Sequence, residues 1–332
     1  MNMRRFFIVL GLLAFALIVY ANAGRVGEFS GYLGQARWYI LIFIVVAQLA
    51  GYYCMAKYYQ LFTGIFGSKK PLKTFYGMSL ALNFVNQAFP SGGVSSLTYL
   101  GSQLPDMPKG KITLTHFMRF VFTYISFTFI LLIGFIVLVL TGNVAAVTSR
   151  FTLLIVSAII ALSIATLAVM SNEAWLKAVA QWARGVLNQL GKRVLRRDND
   201  LITHAQLDRF VGEFHEGYAV VRGGREHWQG PLLYLLGNNV MELLTIYVVF
   251  LSFGQFVNPG VIIAGYALAN AASILGVFTG GIGIFEATMI ATFAALGVPF
   301  ALSTAVVIVY RVLNLALFLP IGFVFYNKSL KT

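Results

Sequence analysis

Residues 261–299 read VIIAGYALANAASILGVFTGGIGIFEATMIATFAALGVP. The apolar run from Val261 to Phe278 stops at Thr279-Gly280-Gly281-Ile282-Gly283, and a second short run, Ile284 to Leu296, follows. A helix that crosses a bilayer needs about 20 consecutive apolar residues, and neither piece reaches that length. Shortened hydrophobic segments interrupted by Gly or Pro are the mark of broken or re-entrant helices in membranes. Two short spans joined by a turn would leave the same pattern. Either way the pair crosses an even number of times and leaves the topology unchanged. The first half of the chain holds a counterpart, Thr74 to Phe89, which ends on Pro90-Ser91-Gly92-Gly93.

Working outward, six runs are long enough to span: Phe6–Gly24, Trp38–Ala56, Phe117–Leu140, Phe151–Met170, Pro231–Phe253 and Ala301–Tyr326. Hydrophobic residues form 59% of the chain and charged residues 11%, against about 25% charge in a soluble domain. An ordinary water-facing surface cannot be built from this composition. The expected fold is an all-α integral membrane protein, with six full transmembrane helices plus two broken, re-entrant hairpins near residues 74–104 and 261–297. Residues 1–332 form one transmembrane domain in this reading. Ala21-Asn22-Ala23 also fits a signal-peptidase site, although a multi-span protein needs no separate signal.

The net charge of +13 raises the question of nucleic acid, which the placement of the charges answers. With the N-terminus inside, Arg25, Arg37 and Arg150 fall outside and Arg311 within a span, while every other Lys and Arg is cytoplasmic. That is the positive-inside pattern. It predicts a multi-pass cell-membrane protein with both termini cytoplasmic and no nucleic-acid partner. The first hairpin would enter from the cytoplasm and the second from the opposite side.

The one sizeable polar stretch, 171–229, reads as a cytoplasmic amphipathic hairpin. Trp175, Val179, Trp182, Val186, Leu190 and Val194 recur at helical spacing beside Lys177, Arg184, Lys192, Arg193, Arg196 and Arg197. A basic amphipathic helix of this kind suits an anionic leaflet. A second pattern, Leu207, Phe210, Phe214, Tyr218 and Val221, ends at Gly223-Gly224.

Ionisable residues inside spans cost roughly 2.5–3.5 kcal/mol each at a helix centre and therefore face a cavity or a partner. Glu242, Glu286 and Arg311 qualify. Glu242 shares a helix face with Asn238 and Asn239, and Arg311 with Asn314. Glu286 sits in the first turn after Gly283, where the helix dipole favours a carboxylate. A polar cavity for a charged ligand and a helix-locking Glu–Arg pair both fit, and the two are compatible. At the breaks, Gly92-Gly93 and Gly280-Gly281-Ile282-Gly283 each begin a new helix whose first backbone N–H groups can meet an anion. Ser91, Ser95 and Ser96 add hydroxyls, and Asn83, Asn86 and Gln87 precede the first break. Close packing of helices through small residues is the alternative use of these glycines. The substrate-binding candidates are thus Glu286, Arg311, Gly280, Gly281, Gly283, Glu242, Asn238, Asn239, Asn86, Ser91, Gly92, Gly93 and Asn314. Glu286 and Arg311 are expected side by side across the Gly297-Val298-Pro299 turn, with an Arg fork suited to a phosphate. His116, His204, His215 and His227 fall at or beyond the membrane edge. No metal spacing, cofactor motif or nucleophile–base pair is apparent, so no catalytic residue is assigned.

Thr279-Gly280-Gly281-Ile282-Gly283-Ile284-Phe285-Glu286-Ala287, then Leu296-Gly297-Val298-Pro299, then Tyr310-Arg311, resembles the closing signature of the lysylphosphatidylglycerol synthase transmembrane family. Asn86 to Gly93 resembles that family's first Pro/Gly break. Thr279 stands where the family usually has Pro, and Ser95-Ser96 where many members have Gly-Glu. The resemblance implies a flippase-like module for a phospholipid or lipid-linked molecule, anionic or modified. The family's full-length synthases carry a soluble aminoacyl-transferase domain, which is expected to be absent here, so the chain is not expected to transfer lysine itself. Three functions follow: a lipid translocator or scramblase, an accessory subunit docking a partner transferase, and an enzyme acting on a lipid-linked substrate.

Overall fold

The computed structural model describes residues 31–32, 34–89, 93–141, 157, 161, 164–194, 203–273 and 283–330. The expected span at 6–24 lies outside them, as does most of that at 151–170, of which residues 164–170 are helical. The helices are α1 (Ile42–Gly64), α2 (Leu72–Ala88), α3 (Val94–Gln103), α4 (Lys109–Leu140), α5 (Glu173–Val194), α6 (His204–Gly223), α7 (Glu226–Ser252), α8 (Pro259–Ser273), α9 (Ile284–Ala295), α10 (Phe300–Leu313) and α11 (Leu319–Ser329). A 3₁₀ turn, Trp38–Leu41, leads into α1. A π-helical turn, Asn314–Phe318, joins α10 and α11 into one 30-residue rod.

Four helical stretches among the described residues are long and apolar enough to cross a membrane: Trp38–Gly64, Lys109–Leu140, Glu226–Ser252 and Phe300–Ser329. Three begin or end well beyond the apolar runs that announce them. The first continues to Gly64, the second starts at Lys109 rather than Phe117, and the third starts at Glu226 with Pro231 inside it. The reason is packing. Polar ends such as Lys109–His116 are helical because they lie against other helices, and the hydropathy of a run does not register that. Pro231 is tolerated near the helix start, where it removes one early hydrogen bond.

Between these long helices stand two pairs of short ones. At 1.5 Å per residue, α2 is about 26 Å long and α3, α8 and α9 are each shorter still. Gly93 and Gly283, the caps of α3 and α9, have φ of 96° and 88°, a conformation that other residues adopt only under strain. The two hairpins enter from opposite ends. Beside the α4 N-terminus, Lys70 Nζ ties the open end of α2–α3 by donating to the Gln103 carbonyl at 2.6 Å. At the α4 C-terminus, Asn258, which leads into α8, donates to Thr141 Oγ1 at 2.8 Å. Gly134 of α4 packs on Ile263 of α8, and Gly322 of α11 meets the Leu80 carbonyl of α2, each too closely for a larger residue.

The α5–α6 hairpin lies at the α4 N-terminal end. Thr203 and Gln206 form a capping box at the start of α6, and Glu213 accepts from the Gly110 N–H at 3.0 Å. Lys177 and Asp208 pair at 2.7 Å; the bond holds the Lys177 ammonium above its usual pKa and the Asp208 carboxyl below the usual range. Both are exposed, so the pair adds little stability. Buried Leu176, Leu207 and Val211 do more.

Buried side chains form two clusters, one around Phe250, Phe293 and Val306 at the second hairpin, the other around Tyr58, Phe62 and Phe75 at the first. Topology is testable by accessibility. In a Cys54→Ala background, cysteines at Ala205 and Gln255, both exposed, should label from opposite faces of the membrane, with Ala205 reached from the cytoplasm. Labelling of both from one face would overturn the opposite-ends arrangement.

Candidate functional site

A cavity of about 290 Å³ lies between the two apolar clusters. Among the described residues its walls come from α1, α2, α3, α4, α7, α8, α9 and α10, so both hairpins contribute. Most of the lining is polar: Asn83, Asn86 and Gln87 of α2, Ser96 of α3, His116 and Arg119 of α4, Asn238 and Glu242 of α7, and Arg311 with Asn314 at the π turn. Arg119 lies about 15 Å into α4 and Arg311 about 17 Å into its rod, at 1.5 Å per residue. Both cations are therefore deep in long apolar helices.

The second break organises one side of this cavity. Glu286 occupies the third position of α9 and is 7% exposed. Its Oε2 accepts from the Gly283 N–H at 2.6 Å, and its Oε1 accepts from Arg311 Nε in a buried ion pair. The Arg311 guanidinium also sits 4.3 Å over the Phe285 ring, a favourable contact with the ring face. Glu242 Oε2 accepts from Gln48 Nε2 and from the Tyr310 hydroxyl, each at 3.1 Å. Gln48 in turn donates to Thr245 Oγ1 at 3.1 Å. The carboxylates are held by donors from three helices.

At the first break, Ser96 donates to Asn86 Oδ1. A Cβ on Gly93 would sit 3.1 Å from His116 Nε2, so ring and break are in contact. His116 is 4% exposed, and neither of its ring nitrogens has a hydrogen-bond partner. The buried Arg119 Nε likewise has none, while its guanidinium stacks 4.3 Å over Phe120.

Several candidate residues take other places than their sequence suggests. Asn239, 3% exposed, donates to Ser126 Oγ at 2.6 Å and to the Thr123 carbonyl at 3.2 Å, tying α7 to α4 away from the cavity. Its neighbour Asn238 takes the wall position, because adjacent helical residues point about 100° apart. The Gly283 N–H, expected to meet an external anion, is satisfied by Glu286. Glu286 stands behind Arg311 and contributes no surface to the cavity. His116 is no membrane-edge residue but a buried wall residue, and Arg119 belongs to a spanning helix rather than a cytoplasmic segment. The signal for this pair was their i, i+3 spacing, hidden because the apolar run was begun at Phe117. Ser91, Gly92, Gly280 and Gly281 lie outside the described residues.

Removing the Glu286 carboxylate should be costly. Glu286→Ala leaves a buried guanidinium and the Gly283 N–H without their acceptor, and should destabilise by about 3 kcal/mol. Glu286→Gln keeps an acceptor for Gly283 and should lose about half as much. Thermal unfolding of the purified protein in detergent reads both, and equal midpoints for all three would refute the role of this pair.

Comparison with known proteins places this geometry. A UPF0104 membrane protein from Methanothermobacter thermautotrophicus is 33% identical over 86 residues, a stretch covering 26% of this chain. The match spans about a quarter (26%) of that relative's own length. The family match is far more extensive: residues 5–322 fit the lysylphosphatidylglycerol synthase TM region. The chain, with its interrupted hairpins and buried Glu286–Arg311 pair, belongs to the lysylphosphatidylglycerol synthase TM region family.

Proposed function

We propose that this protein is a flippase-like translocator that moves a phospholipid or lipid-linked molecule between leaflets of the cell membrane. The observation that carries this reading is the cavity: a polar space with two arginines in its wall, deep within long apolar helices and bounded by hairpins entering from opposite ends. A headgroup can shed water there against Asn, Gln, Ser and Arg side chains while its acyl chains stay in lipid. Charged wall residues at such depth are expensive, and a headgroup path gives them a use. The reading takes the chain as one membrane-embedded unit, with both termini and the α5–α6 hairpin on the cytoplasmic side and no chemical step of its own. Its partners are lipids, with anionic or modified phospholipid favoured by the arginines.

The test is reconstitution. In proteoliposomes carrying an acyl-labelled fluorescent phosphatidylglycerol, an impermeant reductant should bleach well beyond the outer-leaflet half. Protein-free vesicles should stop at that half. Arg311→Lys should slow the process about tenfold, since a point charge forgoes one charge-assisted hydrogen bond of about 1.5 kcal/mol. Bleaching that stops at half with the wild-type protein across anionic, zwitterionic and aminoacylated lipids would end the proposal.

A further inference from the structure

The two hairpin breaks are built alike and charged differently. Each restarts its second helix from a glycine with positive φ, Gly93 for α3 and Gly283 for α9. Each lies near an arginine in the cavity wall, Arg119 and Arg311. In α9 the third position holds Glu286, which closes on both the cap N–H and Arg311. The third position of α3 is Ser96, which is spent on Asn86, and α3 has no side-chain cap hydrogen bond. The first break therefore lacks the anion that the second carries in its own chain.

The charges around the cavity follow the same division. Arg311 has Glu286 bonded to it and Glu242 within electrostatic reach. Among the described residues no carboxylate pairs with Arg119. The groups close enough to feel its charge include His116, Tyr58, Tyr59 and Tyr124, none of them acidic. His116, buried and with both ring nitrogens unpartnered, stands between Arg119 and Gly93.

We propose that Arg119 and His116, at the Gly93 break, form an anion subsite that takes the phosphate group of a headgroup in the place where the second hairpin has its own carboxylate. An arginine offers a forked pair of N–H donors matched to two phosphate oxygens. An imidazole N–H adds a third donor, and the start of α3 contributes its dipole. Asn86, with its oxygen engaged by Ser96, keeps its NH2 group as a donor in the same wall. The subsite rests on the cavity being a headgroup path, yet it can be tested apart from transport.

The experiment is titration calorimetry on the full-length protein in detergent, with dihexanoyl phosphatidylglycerol as one probe and inorganic phosphate as the other. Arg119→Gln should weaken binding of the short-chain lipid about ten- to a hundredfold, and Arg119→Lys should fall between it and wild type. Ser96→Glu is the decisive variant. It installs at α3 the carboxylate that α9 has, so it should pair with Arg119, keep the thermal midpoint at or above wild type, and abolish lipid binding. Binding within twofold of wild type in Ser96→Glu and in whichever Arg119 variant keeps the wild-type midpoint would overturn the subsite, as would no binding of either probe to wild type. Competition by inorganic phosphate at the lipid's own concentration range would identify free phosphate as the ligand. Selective binding of the lipid would identify the headgroup. Either supports the phosphate subsite. Translocation that persists while binding ignores Arg119 sinks the subsite alone; Arg119-dependent binding without translocation sinks the transport reading alone.

Discussion

An interrupted helix inside hydrocarbon exposes backbone groups that have no water to turn to, and each one left without a partner costs several kcal/mol. In this protein the Gly283 N–H, the Glu286 carboxylate and the Arg311 guanidinium form a continuous chain of donors and acceptors across the second break. It settles three problems together. The opened backbone gains an acceptor, the carboxylate gains a counter-charge, and the arginine is drawn onto the face of Phe285. The chain also joins α9 to α10, so the hairpin is fixed to a full-length helix rather than floating between helices. Everything that borders the cavity on that side, including Tyr310 and its bond to Glu242, takes its position from there.

Much of this arrangement was legible in residue types and spacings. The breaks announce themselves through glycines and shortened apolar runs, and the cost of burying Glu286 and Arg311 in consecutive segments makes their pairing a physical necessity. What hydropathy cannot convey is which side of a helix is covered. Asn238 and Asn239 look equivalent in sequence, yet one faces the cavity and the other bonds α4. Arg119 was obscured for a related reason: Lys109 and Lys111 precede it, and only the packing of α6 against Gly110 shows that the spanning helix is already under way. Polar helix ends that are sheltered by neighbouring helices read as loops until the neighbours are known.

The two cavity arginines also show why charge alone is a poor guide to role. Arg311 is paired and stacked, so much of its electrostatic work is structural. Arg119 is stacked on Phe120 with its Nε unpartnered, and the surrounding tyrosines offer it dipoles rather than charge. A cation in that setting holds its positive potential toward the cavity, where low dielectric strengthens it.

The π-helical turn at Asn314–Phe318 has a consequence for how the chain tolerates change in length. A π turn is in effect an α-helix carrying one surplus residue. Loss of a single residue there would restore regular geometry and rotate all that follows by about 100°. Gly322 and Phe325, which meet α2 at Leu80 and Gly77, would swing off that helix while Arg311, upstream, kept its place. The last helix thus carries two interfaces whose relative phase is set by five residues, and a deletion there would uncouple them without altering a single contact residue.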